Sequence, residues 1–170
     1  MEFPHAKETD MFDTRNDLPP KVRVEVTELL NARLADAIDL GAQSKYAHWN
    51  VKGPSFIALH ELFDKVAESL EDQIDTLAER ITALGGRAHG TIASVARRTT
   101  LKPYPEDIAD GLAHVDALSA ALADYAAKVR AAIETADRLG DADTADLFTG
   151  ISRESDKYLW FLEAHLHAQR

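Results

Sequence analysis

His48-Trp49-Asn50-Val51-Lys52-Gly53-Pro54, followed by one long helical pattern from Ser55 to Arg80, decides how this chain folds. Within that pattern His60 and Asp64 are spaced i, i+4, and so are Asp75 and Glu79; each pair shares a helix face. At about 100° per residue, all four side chains fall within an arc of roughly 100°. Phe56, Leu59, Phe63, Val66, Leu70, Ile74, Leu77 and Ile81 fall on another arc, centred about 130° away. The apolar stripe predicts packing into the chain's own bundle. The His/Asp/Glu stripe predicts a face turned away from that core.

Asp64 and Asp75 are roughly 16 Å apart along such a helix, at about 1.5 Å per residue. One metal ion with bonds of about 2 Å cannot bridge that gap. The helix therefore offers two half-sites, and a two-fold axis near its midpoint would set His60 and Asp64 of one chain against Asp75 and Glu79 of another. His48 would join from the end of the preceding helix. A solvated polar face is the competing reading of such pairs. Against it stands the charge pattern: Glu61, Glu68, Glu71 and Asp72 share the helix with only Lys65 and Arg80, whereas a solvated helix interleaves both signs. Carboxylates mixed with imidazoles suit a hard or borderline divalent cation.

The chain has 170 residues and 45% hydrophobic content, enough for one domain with a substantial core. Its net charge of −10 disfavours general affinity for nucleic acid or anionic membrane and favours cations. With no cysteine, thiolate nucleophiles, disulfides and Cys-ligated zinc or iron–sulfur clusters are excluded. Met1 to His5 shows no basic segment leading into an apolar run, and no stretch is long enough to span a bilayer, so a cytoplasmic protein without a membrane partner is expected.

Residues 1–18 are expected to form a flexible, acidic arm, with residues 19–170 forming one domain. Apolar periodicity predicts a first helix over 20–49, after Pro19-Pro20, and a second from a cap at Ser55 to the Gly85-Gly86 stop. A connector over 86–105 contains a short helix near 93–98. A third long helix is expected over 106–139, ended by Gly140, and a fourth runs on to about His167. Asp141, Asp143 and Asp146 suit the positive end of that last helix. No strand alternation is sustained. The fold class is all-α: a four-helix bundle with a crossover and a short extra helix in the connection between the second and third long helices.

Together, His48-Trp49-Asn50-Val51-x-Gly53, Phe56-x-x-Leu59-His60-x-x-Phe63-Asp64 and Asp75-x-x-Ala78-Glu79-Arg80 resemble the Dps family of ferritin-like mini-ferritins. Asp143-Thr144-Ala145-Asp146 and Asp156-Lys157-Tyr158-Leu159-Trp160-Phe161-Leu162 resemble that family's fourth helix. The resemblance implies a hollow homo-oligomeric shell of twelve subunits. It implies intersubunit ferroxidase sites, with His48, His60 and Asp64 from one subunit and Asp75 and Glu79 from its neighbour. Fe(II) would be oxidised there, preferably by hydrogen peroxide, and stored as ferric mineral; zinc could occupy the same ligands. Trp49 resembles the family's tryptophan beside the site, as an electron donor or as interface packing. Asp141, Asp143 and Asp146 correspond to acids that line iron-admitting pores. Lys45 reads as a surface residue with a possible role behind the ligands.

His5, His89, His114, His165 and His167 read as surface or packing residues. The arm and the C-terminal tail lack clustered cations, and Arg97-Arg98 is a short patch, so DNA binding is expected to be weak or absent. Two other classes stay open: a DNA-compacting structural protein, and a di-metal enzyme with its site inside one bundle. The latter normally uses Glu-x-x-His from facing helices, and the only such motif is Glu2-Phe3-Pro4-His5.

Overall fold

The computed structural model describes residues 11–167; His5 and the first ten residues of the expected arm lie outside them. Five helices follow in order: α1 Pro20–Asn50, α2 Phe56–Ala83, α3 Ile92–Arg98, α4 Gly111–Leu139 and α5 Ala142–His167. The closest pairings are α1 with α2 and α4 with α5, and α1 packs on α4 to join the two hairpins. The fold is the expected all-α four-helix bundle, with α3 lying against α1 in the long connection.

The core is built from the apolar stripes. Leu30, Leu34 and Leu40 of α1 and Leu59, Phe63, Leu70, Leu77 and Ile81 of α2 are almost fully buried. They meet Val115, Leu118, Leu122 and Tyr125 of α4 and Phe148 and Leu162 of α5. Each fully buried large side chain contributes roughly 1.5–3 kcal/mol. Phe56, counted with the apolar stripe, is instead exposed at the first turn of α2.

Both glycine stops act as the sequence predicts. Gly85 and Gly140 adopt φ 85°, in the left-handed region. In each, paired hydrogen bonds cap the preceding helix: Gly86 to Ile81 and Gly85 to Thr82 after α2, Asp141 to Ala136 and Gly140 to Asp137 after α4. Ser55 occupies the N-cap position of α2, yet its hydroxyl caps nothing. The third long helix begins at Gly111 rather than 106. Lys52 N–H donates to the Ala109 carbonyl (2.8 Å), holding this segment extended, and the Asp110 carboxylate then accepts from Leu112 and Ala113 N–H.

Residues 11–18, within the expected arm, run across the end of α2. Phe12 N–H donates to the Gly85 carbonyl (2.8 Å), and the Arg87 guanidinium lies over the Phe12 ring. The connector is tied down by polar residues of α1 that are themselves buried: Asn31, Asp36 and Gln43. Asn31 bonds the main chain of Arg87 and His89, Gln43 bonds the Lys102 carbonyl, and Asp36 accepts from Thr100. This satisfies main-chain groups that an irregular crossover would otherwise leave unpaired.

Candidate metal centre

The last turn of α1 and the second turn of α2 bring His48 and His60 face to face, with ring centroids 3.7 Å apart and planes 20° off parallel. Two reciprocal hydrogen bonds hold them: His48 Nδ1 to the His60 carbonyl (2.7 Å) and His60 Nδ1 to the His48 carbonyl (2.8 Å). A carbonyl only accepts, so both Nδ1 atoms carry protons, and in the neutral imidazole it is Nε2 that holds the lone pair. That is the tautomer a metal-binding imidazole needs, oriented from behind by its other nitrogen.

Asp64 lies one turn beyond His60, its carboxylate 4.0 Å from His48 Nδ1. Contrary to the surface reading, Lys45 of α1 reaches across the helix pair, Nζ to Asp64 Oδ1 at 2.5 Å. This hydrogen bond holds the Asp64 carboxyl below the usual carboxylate range, with partial burial opposing it and His48, Lys45 and His60 adding attraction. Asp64 is therefore ionised at neutral pH, and its ionic form is lost only as pH falls through the depressed value. Lys45→Met is expected to raise that midpoint in metal-free protein, which carboxylate NMR measures; an unmoved midpoint contradicts the ammonium as cause.

Asp75 and Glu79 are exposed, on the same helix. No three His, Asp or Glu side chains cluster into a metal-sized group within one chain, among the described residues. One chain thus presents an imidazole pair with a carboxylate, and a separate carboxylate pair about three turns away. Trp49, beside the site, has 65% of its surface exposed.

The acids at the start of α5 divide. Asp141 was expected with a pore, but it is 2% exposed and belongs to the fold. Its carboxylate accepts from Arg80 (2.8 Å) and from the Thr144 N–H and hydroxyl, capping α5 and tying it to α2. Asp143 and Asp146 are exposed. Among the other histidines, His114 is fully buried, His165 is half-buried and His167 is exposed at the end of α5. Arg98, half of the short basic patch, lies 3.7 Å from Glu28.

Helix order, crossover and a metal-type face on α2 define the class: a ferritin-like bundle. A family model described as a ferritin-like domain matches residues 27–170. The chain is 48% identical over 153 residues to a DNA protection during starvation protein of Agrobacterium fabrum, covering 90% of this chain and 94% of that one. It is 33% identical to the protein of that name from Mycolicibacterium smegmatis, covering 89% of this chain and 82% of that one. Among solved structures, DpsA14 from Streptomyces coelicolor superimposes with TM-score 0.87 at 35% identity, over 92% of this chain and 94% of that one. DpsC from the same organism gives 0.89 at 29%, over 97% and 96%. The chain belongs to the Dps family of mini-ferritins, a family of iron storage and DNA protection.

Proposed function

We propose that this protein is a ferroxidase and iron store of the cytoplasm, assembled as a shell of twelve copies. The observation that carries the reading is the His48/His60 pair, locked by its own main chain through both Nδ1 atoms so that Nε2 is left for a metal, beside an ionised Asp64. Asp75 and Glu79 of a second, antiparallel copy complete the ligand set. Fe(II) is the substrate: imidazoles suit it, and carboxylates stabilise Fe(III) as it forms. Hydrogen peroxide is the preferred oxidant, and the ferric product is stored inside the shell. Lys45 yields Asp64 to the incoming cation. Exposed Asp143 and Asp146, without Asp141, draw iron toward the interior.

The protein protects DNA by consuming Fe(II) and peroxide together rather than by coating it. The chain carries a net charge of −10, and Arg98 of the short Arg97-Arg98 patch already faces Glu28. A gel shift showing tight binding at physiological salt contradicts this.

The test is molecular mass in solution combined with iron-dependent peroxide consumption. A large shell that consumes peroxide only with Fe(II) supports the reading; a monomer, or a shell inert toward Fe(II), refutes it. Asp146→Asn is expected to slow iron uptake by severalfold while ligand-site oxidation measured in disassembled dimers stays intact. Equal uptake rates remove the pore role.

A further inference from the structure

Because α4 starts at Gly111, His114 stands in its first turn, where a cation meets the positive end of the helix dipole. His114 is also fully buried, and burial penalises the charged ring. Its Nδ1 lies 2.7 Å from the Tyr104 hydroxyl, with the two rings stacked 15° off parallel. Its Nε2 is buried with no hydrogen-bond partner among the described residues. An imidazolium carries a proton on both nitrogens, so charging this ring would strand a buried donor.

The groups around the ring leave it neutral. Burial holds it below its ordinary value; Asp110 and the Ile108 main chain pull the other way, and Lys52 adds to the effect of burial. From the connector comes Tyr104, whose phenol burial pushes upward, so that it stays uncharged. From α2 comes the Phe63 ring, 6.3 Å away. From α1 comes Tyr46, its ring 5.4 Å from that of Tyr104.

Of the two walls that enclose the ring, one is fixed. A Cβ at Gly111 would stand 2.6 Å from Leu59 Cδ1, so α4 begins in close contact with α2 and has no room to shift. The connector wall is lighter. Lys102, Pro103, Pro105, Glu106 and Asp107 are exposed. Tyr104 itself borders an open cavity of about 750 Å³, shared with Pro103, Ile108, Ala113 and Ala117. The phenol can swing into that space and admit water to the imidazole without displacing a helix.

We propose that His114 and Tyr104 form an acid-released latch on the crossover: protonation of His114 expels Tyr104, and residues 101–110 lift away while the four long helices stay folded. Three main-chain ties are then given up: Gln43 to the Lys102 carbonyl, Tyr46 to the Glu106 carbonyl and Lys52 N–H to the Ala109 carbonyl. The latch is independent of the ferroxidase chemistry. Above about pH 6.5 the ring is neutral in closed and open forms alike, and the closed form keeps its full advantage. Below that value the open form takes up a proton that the closed form refuses. The opening equilibrium then rises about tenfold per pH unit, until the depressed value of the closed form is passed.

The chain has no cysteine, so Leu101→Cys puts a single buried thiol under the connector. Its rate of reaction with 4,4′-dithiodipyridine in the assembled protein is divided by that of exposed Ser55→Cys at the same pH, which corrects for thiol ionisation. The ratio is expected to rise about tenfold from pH 6.5 to 5.5 at constant far-UV circular dichroism, and to stay flat once His114→Gln is added. A flat ratio without His114→Gln, an equal rise with it, or loss of helix in step with labelling overturns the latch. Deuterium exchange at histidine C2, followed by mass spectrometry in the unsubstituted protein, gives a second measure that needs no variant. His114 is expected to titrate below the ordinary histidine value, and a midpoint at or above it overturns the latch.

Discussion

Asp64→Asn and Glu79→Gln are each expected to lose about ten- to a hundredfold in ferroxidase rate when every subunit carries the change, on the scale of losses seen when a metal site's ordering is damaged. Mixed in equal amounts, unfolded and reassembled, the two inactive proteins are expected to regain about a quarter of wild-type sites. The arithmetic follows from two-fold symmetry. In a dimer of the two variants, one site draws Asp64 from the Glu79→Gln chain and Glu79 from the Asp64→Asn chain, and is intact. The other site carries both lesions. Half of randomly formed dimers are mixed, and half of their sites work. A centre built within one chain regains nothing on mixing, because every chain carries a damaged copy. Stopped-flow oxidation of Fe(II), before and after reassembly, separates the two outcomes. The experiment addresses what a single chain leaves open: Asp75 and Glu79 stand exposed, far along α2 from the imidazoles.

Asp36→Ala is expected to be the most damaging single change outside the metal face. Asp36 is fully buried, and its carboxylate accepts from Arg33 (2.7 Å), the Thr100 N–H (2.7 Å) and the Thr100 hydroxyl (3.0 Å). Removing it strands a guanidinium whose Nε already has no partner, and frees the connector after α3. Breaking a buried pair in this way costs about 3–5 kcal/mol. At roughly 2–4 °C per kcal/mol for a chain of this size, the melting temperature is expected to fall by about 10 °C. The comparison is made at matched protein concentration, because assembly adds its own stabilisation. A fall under about 3 °C means that Asp36 is an ornament of α1 rather than the anchor of the crossover.

Much of this molecule was legible before any coordinates. The 3.6-residue period of Leu59, Phe63, Leu70, Leu77 and Ile81 decided that α2 packs by one face, and Gly85 and Gly140 decided where two helices stop. Those signals are local: a helix repeats every few residues, and a left-handed turn selects glycine wherever it occurs. The same period put His60, Asp64, Asp75 and Glu79 on one face, so the outline of the candidate metal surface was written in spacing as well.

What the sequence left open depends on which groups meet across long stretches of chain. Lys45 reaches Asp64 nineteen positions on, and Asp36 meets Thr100 sixty-four positions on; neither pairing follows from periodicity. Asp141 matched exposed Asp143 and Asp146 by residue type, and its burial with Arg80 of α2 and Thr144 as hydrogen-bond donors separates it from them. The late start of α4 has the same origin, since Lys52 pulls the preceding segment out of helix. His114 looked like one polar residue among many until α4 packed and set it against Tyr104. Spacing alone determined the helices, their stops and the stripe of candidate ligands. Tertiary packing decided which carboxylates serve the fold, which tautomer the paired imidazoles adopt and which tyrosine meets a base, because those depend on the few ångströms between elements that no local pattern encodes.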